Sequence, residues 1–302
     1  METASLLAII SGVCWATNIT IVKWALNRSR ASALVGATVG VSIATIVCLI
    51  LALLSGSPLP DSDILWKFAI VGMIAPGSSQ GLFVSSIGSI GPARTSILIG
   101  TSPVFSVLLA VIFLDESWKT TIMVGTLLTV LGSALISWEK GIRFRQIGIV
   151  FAIATSLTFA IRDVVARHFN IGTDVSAWWS GTVVLVAASI TLWVFVSIKF
   201  GPIWKIQTRK ALPEFIPSGI MIGIALPLLL EALNKGSVNI VAPLALAAQN
   251  VAIVLLSGWF FGARERTKQV LIAMTLIFLG GLLVTICLLY TSDAADEGLG
   301  VD

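Results

Sequence analysis

Residues 91–137, GPARTSILIGTSPVFSVLLAVIFLDESWKTTIMVGTLLTVLGSALIS, are two apolar runs joined by a short polar turn. The first, Ala93 to Leu114, carries no charge after Arg94. It supplies about the 20 apolar residues that a bilayer core requires at a rise of about 1.5 Å per residue. Asp115, Glu116 and Ser117 end it, and the second run, Thr120 to Ser137, begins almost at once. The two are therefore predicted to cross a membrane as a tight antiparallel hairpin. Pro103 falls mid-run, where a membrane bundle tolerates it as a kink.

The stretch has an echo in residues 236–285, GSVNIVAPLALAAQNVAIVLLSGWFFGARERTKQVLIAMTLIFLGGLLVT. Gly88-Ser89-Ile90 lies against Gly236-Ser237-Val238, Glu116 against Glu265 and Gly132 against Gly281, an offset of roughly 148 residues. The start of the chain recurs too, with Ser11 to Ala16 matching Thr155 to Ala160 and Lys23 matching Arg167. One chain therefore holds two copies of one unit.

Composition sets the class. Of 302 residues 57% are hydrophobic and 11% charged, with a mean hydropathy of +1.00, whereas a soluble domain carries about 25% charged residues. This is a polytopic membrane protein. The net charge of +4 does not point to nucleic acid, because the basic residues sit at the ends of apolar runs. Cys14, Cys48 and Cys287 lie inside apolar runs without a CxxC or Cys/His cluster, so neither a disulfide nor a metal site is predicted. The first run lacks a basic leader, and Lys23 and Trp24 stand where a cleavage site would need small residues, so it reads as a spanning helix.

Ten runs are predicted, at 3–26, 32–54, 64–87, 93–114, 119–137, 147–169, 176–199, 213–233, 239–261 and 268–286. The fold expected is an all-α membrane protein with ten transmembrane helices in two five-helix repeats, 1–140 and 141–286. The longest connection is Phe200 to Leu212, and the basic turn Trp138 to Gln146 divides the copies. Five is odd, so the second copy enters the bilayer from the opposite side and the repeats are inverted, a transporter architecture. Lys67, Lys119, Arg162, Arg167 and Lys235 fall toward one side and the other 14 of the 19 basic residues toward the other, which is predicted to be cytoplasmic, with both termini outside. Residues 287–302 stand apart: CLLYTSDAADE resembles one reading frame of a transposon-end sequencing adapter and is expected to be non-native read-through. A genomic locus encoding the same tail would exclude that origin.

Several residues together suggest a family. They are the small and aromatic first helix of each copy (Gly12, Trp15, Ala16; Ser156, Phe159, Ala160), the run Gly91-Pro-Ala-Arg-Thr leading to Pro103 and closing on Leu114-Asp-Glu116, and Gly125 with Gly132. In these the chain resembles the EamA-like branch of the drug/metabolite transporter superfamily. The second copy departs from the pattern at Ala247-Ala-Gln249-Asn250, where many members carry a proline, and at Gly262-Ala-Arg-Glu265. The resemblance implies helices around a central cavity, alternating access, and movement of amino acids, other small metabolites or drugs, often outward.

Charges inside spanning helices cost roughly 2.5–3.5 kcal/mol each on insertion scales, so each needs a reason. Asp163 and Arg167 are four apart and are predicted to pair. Arg162 has no partner on its own face and by the repeat lies opposite Asn18; it either lines a substrate cavity, where a guanidinium suits a carboxylate, or is structural. Glu231 is read as a proton-coupling residue, or alternatively as an interfacial partner of Lys235. Gln80, Gln249 and Asn250 either contact a ligand or bond between helices. Trp15 and Phe159 are candidate aromatic walls, and Pro76, Pro103 and Pro227 are candidate helix breaks. His168 reads as an interface residue.

Function follows as an expectation: a secondary transporter in the inner (plasma) membrane that exports a small organic solute such as an amino acid. An importer or exchanger is the alternative, and a membrane-embedded non-transport protein a more distant one. No HExxH, paired-acid or Ser/His constellation suggests an enzyme, and no P-loop suggests ATP-driven transport. No catalytic residue, metal or cofactor is assigned. The implied partners are a small-molecule substrate, with or without a coupled proton, and the lipid bilayer.

Overall fold

A computed structural model describes residues 2–90, 95, 98–116, 120–136, 146–170, 175–261, 272, 275–277, 279, 280 and 283. Every described element is helical: α1 Glu2–Ser29, α2 Ala33–Leu54, α3 Ser62–Gly72, α4 Ser79–Ile90, α5 Ser102–Phe113, α6 Thr120–Ile136, α7 Gln146–Asn170, α8 Ala177–Phe200, α9 Trp204–Lys235 and α10 Val238–Phe261. Among the described residues six stretches are long and apolar enough to cross a membrane: Glu2–Ser29, Ala33–Leu54, Ser62–Ser86, Gln146–Phe169, Ala177–Phe200 and Lys205–Lys235. Ser102–Phe113, Thr120–Gly132 and Val238–Ile253 are shorter apolar helices. The protein is thus an all-α multi-span membrane protein. Its outward faces carry large apolar side chains such as Leu54, Phe113, Ile190 and Ile198, as lipid requires. The basic turn at 137–145, Glu265, most of the run 268–286 and the tail 287–302 lie outside the described residues.

Proline placement explains the irregularities. The third run is interrupted at Pro76, where a wide turn, Met73–Ser78, with Ala75 in extended backbone separates α3 from α4. The fourth run breaks at Gly100–Thr101, so Pro103 occupies the first turn of α5 rather than a mid-helix kink; there its missing N–H costs no hydrogen bond. Pro227, expected as a break, lies within the continuous helix α9, as do Pro213 and Pro217. The predicted connection Phe200 to Leu212 is also corrected: after a short turn at Gly201–Ile203, α9 starts at Trp204. Lys205, Arg209 and Lys210 are exposed there while Ala211 and Phe215 are buried, so an amphipathic first segment prolongs the helix beyond its apolar run.

The helices are held by close backbone approaches. A side-chain carbon added to Gly12 would strike the carbonyl of Ala245 in α10, one at Gly72 the carbonyl of Val184 in α8, and one at Gly223 the carbonyl of Ala44 in α2. Small residues therefore allow α1 to cross α10, α3 to cross α8 and α9 to cross α2 at short range. α1 packs along α9 and α10, α7 packs along α4 and α5, and α2 and α8 pack on each other.

Glu116 is a tie that the sequence reading missed. Its carboxylate accepts hydrogen bonds from the backbone N–H of Val238 (2.9 Å) and Asn239 (3.0 Å), capping the start of α10. Glu116→Ala is expected to cost about 0.5–2 kcal/mol, as loss of a cap does. A lowered thermal midpoint in detergent, with the far-ultraviolet helical signal kept below the transition, would show this.

Candidate functional site: a central ion-pair cavity

Half-way along the bundle a cavity of about 90 Å³ lies between helices from both halves of the chain. Its walls are Trp15 and Ile19 of α1, Gln80 and Phe83 of α4, Ile99, and Ser102 and Pro103 of α5, followed by Phe159, Arg162 and Asp163 of α7, Leu229 of α9, and Ala242, Ala245, Leu246 and Gln249 of α10. Of the residues predicted for a cavity, Trp15, Gln80, Phe159, Arg162 and Gln249 come together here. Asn18 and Asn250 do not line it. Asn18 is buried between α1 and α9, where its Oδ1 accepts from the Ser218 hydroxyl (2.7 Å), and Asn250 is buried elsewhere in α10.

The ionic partners differ from those predicted. Asp163 pairs with Arg162, not Arg167: Nε and Nη2 of Arg162 donate to Oδ1 of Asp163 at 2.9 and 2.7 Å. Both residues are buried, at 6% and 5% exposure, and the guanidinium lies over the Phe159 ring, 5.0 Å from its centroid. Adjacent helical positions point about 100° apart, but the long arginine stem bends its head back to its neighbour. Arg167 Nη1 instead donates to the carbonyls of Leu233 (2.8 Å) and Asn234 (2.6 Å), the last turn of α9. Those carbonyls have no partner inside their own helix, and a cation there also answers the helix dipole.

A second, larger recess of about 960 Å³ opens at the end of the bundle formed by the 55–61 turn, the start of α8 and the end of α9. It is lined by Leu7, Pro58, Asp61, Ile64, Trp178, Pro227 and Glu231, among others, and Trp179 Nε1 donates to the carbonyl of Ser57 to hold the turn (2.9 Å). Glu231 faces this recess and pairs with Lys235 at 3.1 Å. With the side chains 27% and 47% exposed, such a pair contributes at most about 1 kcal/mol. Lys235→Ala should therefore leave the thermal midpoint nearly unchanged, whereas a shift as large as that of a buried-pair variant would show that the pair is not screened. The larger recess is open at one end of the bundle, and the smaller cavity holds the converging charges. Among the described residues no cluster of His, Cys, Asp or Glu could hold a metal.

The opposite end is closed. Arg28 Nε meets Glu214 Oε1 at 3.1 Å, and Ser32 N–H donates to Gln207 Oε1 at 3.0 Å, tying the α1–α2 turn to the first turns of α9. Beneath this tie Val22, Ala25, Val35, Val39, Val196, Ala211 and Phe215 form one buried apolar layer.

Residues 2–138 match the EamA-like transporter family. Over 190 residues the chain is 29% identical to a protein of Streptantibioticus cattleyicolor named "Probable terminal-alkyne amino-acid exporter", a match covering 59% of the chain and 64% of that relative's length. A solved structure described only as "Crystal structure of protein" superposes with a TM-score of 0.74 at 19% identity, over 94% of this chain and 98% of the other. That likeness concerns the fold alone.

Proposed function

We propose that this protein is an EamA-like secondary transporter of the drug/metabolite superfamily that exports a small organic solute, such as an amino acid, through the Arg162–Asp163 cavity by alternating access. The observation that carries the reading is the buried ion pair at mid-bundle, lined by α1, α4, α5, α7, α9 and α10 together. Charges at that depth are expensive, and a closed, purely structural bundle would do without them. The name of the Streptantibioticus relative supports an amino-acid cargo and outward direction.

Two inverted five-helix repeats of ten helices complete the proposal. Exchanging α1 with α7, α2 with α8, the α3–α4 pair with α9, and α5 with α10 turns the packing of α1 on α9 and α10 into that of α7 on α4 and α5. It also turns the packing of α9 on α2 into that of α3 on α8. Small-residue contacts follow the same exchange, with Ala4 against Gly236 and Gly148 against Ser89 and Ile90. In this reading the larger recess is the vestibule of an outward-facing conformation, since it lies at the end poor in basic residues, which the positive-inside rule assigns to the exterior of the plasma membrane.

Reconstitution tests the reading: labelled amino acids and amphiphilic drugs are offered to proteoliposomes of the full chain, with and without an imposed pH gradient. Saturable movement of a small solute that protein-free liposomes do not show is expected. A gradient dependence lost in Glu231→Gln would make Glu231 the coupling residue. If no member of the panel moves above the protein-free rate, the export reading fails.

A further inference from the structure

We infer that the Arg162–Asp163 pair reads both ends of a zwitterion, taking the carboxylate of a small neutral α-amino acid on the remaining N–H groups of Arg162 and its ammonium on Oδ2 of Asp163. The inference rests on the transport reading above and names the cargo of that same cavity.

The geometry of the pair leaves half of each partner unspent. A guanidinium has five N–H groups in a planar fork, and Arg162 gives one from Nε and one from Nη2 to Asp163. Both bonds end on Oδ1, so among the described residues Oδ2 accepts none. Phe159 covers the guanidinium, and the burial of both side chains leaves the cavity as the space toward which their free groups can act. The pair therefore offers a donor set and an acceptor side by side.

Charge balance then selects the ligand. The pair sums to zero, and among the described residues no other charged side chain lines the cavity. A zwitterion adds one carboxylate for the donors and one ammonium for the acceptor and keeps the sum at zero. A lone carboxylate or amine brings an unpaired charge into a site of low polarity, where it is strongly disfavoured. The remaining polar groups, Ser102 and the amides of Gln80 and Gln249, are neutral, while Ile19, Phe83, Ile99 and Leu246 close round the space. A short uncharged side chain fits such walls, and a lysine or glutamate side chain finds no counter-charge among the described residues.

The experiment uses full-length protein in proteoliposomes, with labelled L-alanine as cargo and unlabelled competitors on the vestibule side. N-acetyl-L-alanine lacks the ammonium, L-alaninamide lacks the carboxylate, and L-lysine and L-glutamate add a charge. Each should compete at least tenfold less well than L-alanine itself. Asp163→Asn keeps an acceptor for Arg162, and it should lower L-alanine transport at least tenfold while narrowing the gap between L-alanine and N-acetyl-L-alanine. A purely structural loss would lower both in proportion. Wild-type protein that handles N-acetyl-L-alanine as well as L-alanine overturns the zwitterion assignment and leaves the transport reading standing. Movement of amphiphilic cations alone also overturns it, and immobility of every probe defeats both. If Asp163→Asn fails to fold, the wild-type ranking of competitors decides by itself.

Discussion

Asp163→Ala is expected to cost about 3–5 kcal/mol, because it leaves the Arg162 guanidinium buried with its counter-ion gone. The penalty is not the strength of the pair. At 6% exposure the orphaned charge has little solvent around it, and the Phe159 ring alone cannot replace a carboxylate. The double variant Arg162→Met with Asp163→Leu removes the charge along with its partner and should recover most of that loss, since a buried pair and a well-packed apolar replacement are often close in stability. Thermal unfolding in detergent, read beside the monodisperse fraction after purification, separates the two. The double variant should be folded and inactive in transport. If the single variant melts within a degree or two of the wild type, the arginine has found water or another partner, and the cost assigned to its burial is wrong.

Gly72→Leu should be comparably severe. A single added carbon at this position already strikes the carbonyl of Val184, a backbone atom in the middle of α8 that cannot swing aside. Overpacking a tight contact costs about 1–3 kcal/mol where side chains can adjust, and two backbones in contact lie at or beyond the upper end of that range. The expected result is loss of folded protein after extraction. By contrast Gly40→Ala, whose added carbon would meet the Ser218 hydroxyl at an ordinary 3.5 Å, should be tolerated. Equal behaviour of the two variants would show that α3 and α8 can separate at no cost.

The bilayer made most of the helices legible. A span must be apolar for about 20 residues and its ends must be polar, so the described residues of the predicted runs from 3–26 to 239–261 lie mostly in helical segments. Where the pattern failed, a second environment intervened. The start of α9 is an amphipathic segment at the membrane surface, and its exposed lysines and arginine read as a loop until Phe215 is seen buried against Gly36. Pro227 reads as a break, but neighbouring helices accommodate it, its ring lying beside Gly181.

The cavity was partly legible for the same reason. A charge or amide at mid-span is costly enough to be conspicuous, which brought out Arg162, Asp163, Gln80 and Gln249. Their partners were not legible, because spacing along one helix ignores the helices around it. The four-residue rule joined Asp163 to Arg167, but the open carbonyls at the end of α9 claim Arg167, and the flexible stem of Arg162 turns back to Asp163. Asn18, predicted opposite Arg162, is taken by Ser218 of another helix. The apolar lining from Ile99, Leu229 and Leu246 carries no signal in a chain that is apolar throughout.

Alternating access requires the closed end to open, and the tie between Arg28 and Glu214 is where α1 and α9 must part. The decisive measurement places Arg28→Cys and Glu214→Cys in a background whose three native cysteines are replaced by serine, then bridges them with a short bifunctional thiol reagent in proteoliposomes. Transport of labelled L-alanine should stop in proportion to the bridged fraction, while each single-cysteine protein treated alike continues to transport. Undiminished transport through fully bridged protein would mean that the solute does not pass between these helices, and that the cavity at Arg162 and Asp163 is not reached by opening this end.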